Sequence, residues 1–401
     1  MLDVHDHRSL GQRLDLFHLQ EEAPGMVFWH PRGHLLYRLI EERVRRQMSL
    51  EGYNEVRTPQ LLAQPIWERS GHWENFRENM FQLADEGGRH LALKPVSCPG
   101  HIQLVQRMGP SYRDLPLRLG EFGLVHRSEP SGSLHGLFRL RQFTQDDGHI
   151  FCAEEQMREE VLRFCRSLRA FYADFGFEDV QVAFSSRPAQ RAGSDEVWDV
   201  AESLLLEAAQ QAGLHCRMQP GQGAFYGPKL EFVLKDRPGR DWQCGTIQLD
   251  LVLPERFDLH YVDASGQKRR PMMLHRAMLG SLERFIAILL EHHGGALPAW
   301  LSPEQVVVAS IGEGAAGYAE RFAAKLREVG CRAHADARAE SLSRKIVDAH
   351  QAGVPWLVVA GAREVEKNGV RLRRRDGEQR DLAWEEALTE LVAECRPSPA
   401  V

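Results

Sequence analysis

Residues 126–143 read HRSEPSGSLHGLFRLRQF. Arg127 and Glu129 enter a segment of Pro, Ser and Gly, and Arg139 and Arg141 leave it just before Phe143. Turn formers flanked by charged and apolar residues read as a hairpin. A polyphosphate calls for cationic forks, and arginine offers planar bidentate donors that lysine lacks. A purine calls for a flat surface and an acceptor for its exocyclic amine. Arg127 on an α-phosphate, Glu129 on that amine and Phe143 against the base would hold ATP in a bent form. An isolated Arg-x-Glu is more often a solvated ion pair, but the spacing on to Arg139 and Phe143 weighs against that reading.

Moving outward, GHLLYRLIEERVRRQM carries apolar residues at helical spacing (Leu35, Leu36, Leu39, Ile40, Val44). NEVRTP follows as a strand that Pro59 ends or confines to an edge. Short strands and turns, among them KPVSCPGH, lead to the hairpin, and a helix EEQMREEVLRFCRSLRAFYADFG closes at Gly176. VQVAFS, KLEFVL and WQCGTIQLDLVL read as further strands, and RAMLGSLERFIAILLEHH as a helix stopping at Gly294 and Gly295. The breaker-rich GGALPAWLSP is a linker. Beyond it strand, helix, strand, helix and strand alternate. The expectation is an α+β domain over 1–300 with a mainly antiparallel sheet, then a small α/β domain over 301–401.

The chain has 401 residues, 43% hydrophobic and 26% charged, which is ordinary for a globular protein. The charged start MLDVHDHRSLGQRLD argues against a secretory signal, and no apolar run is long enough to span a bilayer. Seven scattered cysteines without a Cys-x-x-Cys argue against a disulfide framework and for a reducing cytoplasm. A net charge of −6 does not announce a nucleic-acid binder, although RLRRR at 371–375 is a local basic run, more often a solvated hairpin than an RNA contact.

The small domain opens with VVVASIGEGAAGYAERF, a literal G-x-G-x-x-G (Gly312, Gly314, Gly317), and Asp336 stands where a ribose-binding acid would. The domain has room for little more than one mononucleotide-binding half, so a tight strand-to-helix turn is the plainer reading. Nicotinamide binding stays as a rival.

The hairpin resembles the second signature of class II aminoacyl-tRNA synthetases, LGSLERF (Gly280, Glu283, Arg284) the third, and Pro59 after NEVRT the first, which in that class lies at a dimer interface. SGHWENF, SCPGH, SYRDLPLRLGEFG, GSDEVWD, GAFYGPKLEF, WQCGTIQLDL and HRAMLGSLERF narrow the resemblance to the threonyl-tRNA synthetase family, over essentially the whole chain. The class II synthetase fold and an anticodon-binding module are therefore expected.

The resemblance implies zinc held by Cys98, His149 and His275, a set that spacing alone does not pick from 18 histidines. Three protein ligands leave zinc an open position. Threonine can fill it with amine and hydroxyl, and valine cannot. Asp147 would accept the threonine hydroxyl, with Gln145, Tyr226, Cys244 and Gln248 lining the pocket. Cys244 is read there as a neutral wall and not a nucleophile. ATP, with Mg²⁺, would meet Arg127, Glu129, Arg139, Phe143, Gln243 and Arg284. His72 in SGHWENF matches a histidine near the tRNA acceptor end. The implied reaction joins L-threonine to threonine tRNA through threonyl-adenylate, and it asks for positioning and charge stabilisation from Arg127 and Arg284.

Bacterial members of the family carry an N-terminal region that hydrolyses mischarged serine, and this chain begins where the catalytic domain begins. A short form without editing in cis is expected, with a separate trans-editing protein as a further partner beside the second copy of a homodimer. SCPGH has Val96 and Ser97 where the family has Met and Asn. Glu364 and Arg373 match anticodon-reading residues, whereas Ala339 and Val347 replace an Asn and an Arg, which could relax that reading. Two alternatives follow: a specialised or inhibitor-resistant paralogue that activates threonine, and a synthetase-like tRNA-binding protein without catalysis.

Overall fold

The computed structural model describes residues 3–236 and 239–397. By internal packing they fall into two compact units. One gathers Leu19–Val27 and Glu41–Ile288; the other gathers the described residues up to His18, Phe28–Ile40 and those from Leu289 onward.

The first unit is built on an eight-stranded sheet. In chain order its strands are β1 (Asn54–Glu55), β2 (Leu117–His126), β3 (Gln142–Cys152), β4 (Val180–Ser185), β5 (Cys216–Gln219), β6 (Lys229–Lys235), β7 (Asp241–Asp250) and β8 (Met272–Ala277). They are arranged β5-β4-β6-β7-β8-β3-β2-β1. All neighbours run antiparallel except the two outermost pairs, which are parallel. The expected mainly antiparallel sheet of a class II synthetase is thus present. β1 is short and lies at an edge, as Pro59 requires.

Helices cover the sheet. α1 (Pro31–Leu50) is the helix expected from the Leu35 to Val44 stripe. α2 (Cys98–Met108) begins at Cys98, with proline in its first turn and Gly109 closing it in the left-handed region. Its Ile102 and Val105 pack on Leu119, Phe151 and Met273 of the sheet. KPVSCPGH therefore marks the start of a helix and not only a turn. α3 (Glu154–Ala173) carries Glu154 and Glu155 in its first turn, where the helix dipole favours them.

One expectation is corrected and one helix is added. Residues 195–211, which lie between the expected strands VQVAFS and KLEFVL, form α4 (Asp195–Gln211), with Trp198, Ala201, Leu205 and Ala208 on its buried face. The helix expected from Arg276 is divided: Met272–Ala277 is the fully buried strand β8, and α5 (Leu282–His293) starts only after a turn. A buried strand with apolar residues on both faces loses the alternation that would distinguish it from a helix.

The second unit holds β9 (Val306–Ser310), β10 (Ala333–Asp336), β11 (Trp356–Ala360), β12 (Gly369–Arg374) and β13 (Gln379–Ala383), in the order β10-β9-β11-β12-β13. Val306 and Val308 pack with Phe322 and Leu326 of α6 (Ala316–Glu328), and Val307 and Ala309 with Ala349 of α7 (Leu342–Gln351). β9, β10 and β11 are parallel, but β12 and β13 turn antiparallel, so no second mononucleotide-binding half follows. The Asp336 carboxylate is held by Arg338 at 2.7 Å. Residues 371–374 of RLRRR lie on β12, where Arg371 pairs with Asp381 and Arg374 with Asp376. All seven cysteines are free thiols, and among the described residues no helix is long and apolar enough to cross a membrane.

Candidate active site

Side chains alternate along a strand, so Phe143, Gln145, Asp147 and His149 of β3 project from one face. β8 lies beside β3 with His275 directly opposite His149, and β7 lies beside β8 with Gln248 opposite His275. One sheet face therefore presents a row that begins at an aromatic ring and ends at two imidazoles.

At the ring end is a cleft of about 440 Å³ lined by Arg127, Glu129, Arg139, Phe143, Gln145, Gln243, Cys244, Gln248 and Arg284. Arg127 lies over the Phe143 ring at 5.1 Å and donates from Nε to the Pro95 carbonyl at 3.2 Å. Arg139 reaches back across the hairpin to the Glu129 carboxylate at 2.8 Å. Arg284 donates to the Phe138 carbonyl at 3.1 Å, and the Phe138 ring is stacked on Trp242 at 3.8 Å. Gly280 has φ of 77°, and a Cβ there would come within 3.0 Å of the Cys244 carbonyl oxygen, so the turn before Arg284 needs glycine. Burial pushes the Cys244 thiol up to about 12, which keeps it neutral.

The turn is held from β3. The Asp146 carboxylate accepts the backbone N–H groups of Met278, Leu279 and Gly280 at 2.6, 3.1 and 2.9 Å. Asp146 points away from the row while its neighbour Asp147 belongs to it. Glu283, on the far side of the turn, accepts the Thr144 N–H at 3.0 Å.

At the other end, Cys98 from α2, His149 and His275 have ligand atoms that all lie within 4.8 Å of one another, and all three residues are buried. His149 Nε2 faces His275 Nδ1 at 3.1 Å. The far nitrogens are committed elsewhere: His275 Nε2 meets the Asp250 carboxylate at 2.8 Å, and His149 Nδ1 meets His101 Nδ1 at 2.8 Å. An imidazole that gives one N–H to a carboxylate keeps a lone pair on the other nitrogen. Burial first, and then His101 and His275, hold His149 well below the ordinary imidazole range, in the neutral form a ligand needs. Burial, with the Asp147 and Asp250 charges, raises the Cys98 thiol. One sulfur and two imidazole nitrogens converging in a buried site fit zinc, one ligand short of its usual four.

Between the two ends, the Tyr226 hydroxyl donates to Gln248 Oε1 at 2.9 Å, and its ring stacks on His275 at 4.7 Å. Asp147 accepts the Ser97 N–H at 3.3 Å. The residues expected for ATP, threonine and metal are thus contiguous.

His72 stands apart. It is buried, its Nδ1 meets the Ser70 hydroxyl at 2.8 Å, and it does not line the cleft. Its ring lies edge-on to Phe225, next to Tyr226, and burial pulls its pKa down to about 3. Glu364 and Arg373 belong to the other unit. Glu364 accepts the Gly361 N–H at 3.0 Å and lines a second cleft with Arg363, Lys367 and Arg371. Arg373 Nε is buried and has no hydrogen-bond partner among the described residues.

Sequence reasoning missed Lys229, Thr246 and Ser281, which line the main cleft, and His101, Glu121 and Asp250 behind the metal-ligating set. His101 carried one signal, its i+3 spacing from Cys98 on one helix face.

A family model described as the class II core domain of tRNA synthetases (G, H, P, S and T) matches residues 81–293, and one described as an anticodon binding domain matches 305–394. A threonine–tRNA ligase of Paramagnetospirillum magneticum is 53% identical over 98% of this chain and 62% of its own length. The chain spans about 60% of the length of the curated relatives it matches. The crystal structure of the RNA binding domain of threonyl-tRNA synthetase from Cryptosporidium parvum Iowa II superposes with a TM-score of 0.94 at 40% identity, covering 99% of this chain and 100% of that one. A prolyl-tRNA synthetase of Giardia lamblia, in complex with prolyl-adenylate, shares the fold at 18% identity and a TM-score of 0.77, over 97% and 80% of the two chains.

Proposed function

Because the chain belongs to the threonyl-tRNA synthetases, within the class II tRNA synthetases, we propose that it activates L-threonine with ATP and transfers it to threonine tRNA. The observation that carries this reading is the single row from Phe143 through Gln145 and Asp147 to His149, which runs from an arginine-lined cleft to a buried Cys/His set and so supports a nucleotide and an amino acid held end to end.

In the first step a threonine carboxylate oxygen attacks the α-phosphorus of ATP and pyrophosphate leaves. Arg127 and Arg284 meet the negative charge on the phosphates, Mg²⁺ accompanies ATP, and Phe143 and Glu129 hold the base. No side chain need take a proton from the carboxylate, so positioning is the main requirement. In the second step a hydroxyl of the terminal tRNA ribose attacks the adenylate carbonyl and AMP leaves, its phosphate taking the hydroxyl proton, with His72 assigned to the acceptor end. Asp147 accepts the threonine hydroxyl, and Gln145, Tyr226, Cys244 and Gln248 close the pocket. Cys98, His149 and His275 would hold zinc, which when bound supplies a Lewis-acidic position for the polar groups of threonine.

Residues 1–300 form the catalytic part in this reading, and 301–401 meet the anticodon through Glu364 and Arg373. Further proposals are a homodimer, a cytoplasmic location and a trans-editing partner. The test is threonine-dependent exchange of pyrophosphate into ATP, with and without a zinc chelator, followed by charging of threonine tRNA. Exchange that needs the metal, with charging, is expected. Exchange without charging points to a paralogue using another acceptor; absence of both refutes the enzyme.

A further inference from the structure

Behind the Cys98, His149 and His275 set lies a buried chain that touches neither substrate pocket. His101, on α2, places its Nδ1 2.8 Å from His149 Nδ1 and its Nε2 3.1 Å from Glu121 Oε2. Glu121, on β2, also accepts the Lys94 ammonium at 2.8 Å, the Thr58 N–H at 2.9 Å and the Thr58 hydroxyl at 2.8 Å. Lys94 donates in turn to the Thr58 hydroxyl at 2.9 Å. All four of these side chains are buried, His101 completely.

Two facing Nδ1 atoms cannot both carry hydrogen, and their contact needs one donor and one acceptor. An ionised Glu121, charge-balanced by Lys94, accepts from whatever faces it, so His101 carries its proton on Nε2. Its Nδ1 is then a lone pair, and His149 must supply the N–H between them. That leaves His149 Nε2 bare, and Nε2 is the atom that faces His275 Nδ1. Had His101 the opposite tautomer, its Nδ1–H would drive the His149 proton onto Nε2 and block the ligand. Asp250 serves His275 directly at 2.8 Å, whereas His149 is served only through a second imidazole.

We propose that His101 is a positioning residue that relays the Glu121 carboxylate to His149, fixing the His149 tautomer and ring orientation for a divalent cation. This rests on reading Cys98, His149 and His275 as a metal site. Removing a carboxylate partner behind a metal-bound histidine costs about 10- to 100-fold in metal affinity.

The test compares wild type, His101→Phe and His101→Gln, stripped of metal and titrated with Zn²⁺ or Co²⁺ against a competing chelator. Phenylalanine fills the space but has no acceptor; the glutamine amide can accept from His149 and donate to Glu121. His101→Phe is expected to bind about 10- to 100-fold more weakly and to shift the visible Co²⁺ absorption, with a metal-free melting temperature lowered no further than the loss of its two buried hydrogen bonds implies. His101→Gln is expected to recover most of the affinity and the wild-type spectrum. Equal affinity in wild type and His101→Phe overturns the relay. So does an equal loss in both variants with a lowered metal-free melting temperature, which would assign His101 to packing. A wild-type chain that binds neither ion overturns the metal site itself, and the relay with it.

Discussion

Arg139 and Glu129 meet across the hairpin at 2.8 Å, although both are assigned to different ends of the same nucleotide. The Arg139 side chain is 52% exposed, so the pair is a solvated one worth about 0–1 kcal/mol, readily exchanged for stronger contacts with phosphate. Arg139→Ala should leave the melting temperature almost unchanged and raise the ATP KM in pyrophosphate exchange by about 10-fold or more, as expected from losing a charge-assisted contact. An unchanged KM would show that Arg139 serves the hairpin alone.

Asp146 is the link between the β3 strand and the Arg284 turn. Replacing it with alanine strands three buried backbone N–H groups, each worth about 1–3 kcal/mol when left unpaired. With partial relaxation, Asp146→Ala should lose roughly 3 kcal/mol of stability and raise the ATP KM, because the turn carrying Gly280 and Arg284 loses its anchor. Chemical denaturation and exchange kinetics on the same preparation check both effects. Intact stability would refute the assignment.

The contrast between Asp146 and Asp147 shows what the sequence could convey. The residues assigned to ATP were legible because Arg127, Glu129, Arg139 and Phe143 sit within one hairpin, where local spacing is informative. The metal set was reachable only by resemblance, since α2, β3 and β8 bring its members together through sheet register. His101, Glu121 and Asp250 stayed hidden for the same reason, each arriving from a different element. Asp146 is adjacent to a pocket residue yet points to the opposite face, and only strand alternation separates their roles. The helix at 195–211 had a visible stripe, Trp198, Ala201, Leu205 and Ala208, that the surrounding strand-like runs obscured.

Glu283 gives a pH dependence with a definite sign. Burial pushes its carboxyl from 4.5 up to about 7, against hydrogen bonds from the Thr144 N–H and the Ser281 hydroxyl. The folded state thus keeps a proton that the unfolded chain has already lost in that window. Its stabilisation is complete below the unfolded value and is lost as pH rises through the folded one, on the order of 3 kcal/mol in all. Asp146, raised to about 6 by burial, acts in the same direction. Glu283→Gln keeps the shape and cannot ionise, so its stability should fall less than that of wild type between about pH 5 and pH 8. Parallel curves for the two proteins would remove Glu283 from the account.

The pocket proposed for the amino acid should reject valine far better than serine. Valine has the shape of threonine but presents a methyl to Asp147 and to the open position beside Cys98, His149 and His275. Polar groups built to meet a hydroxyl and left unpaired discriminate by about 10⁴-fold or more. Serine keeps both amine and hydroxyl and lacks only a methyl, a difference worth about 1–3 kcal/mol, or roughly 10- to 200-fold. Exchange measured with the three amino acids should rank threonine, then serine within that range, then valine near background. Asp147→Ala should reduce threonine activation most and narrow the gap to valine. If these 401 residues carry no hydrolytic site for serine, as expected, seryl-tRNA made in the assay should persist as long with the protein present as after its removal. Faster loss of serine from tRNA in the presence of the protein would refute the absence of editing within it. Equal rates for serine and valine would refute the hydroxyl-reading pocket.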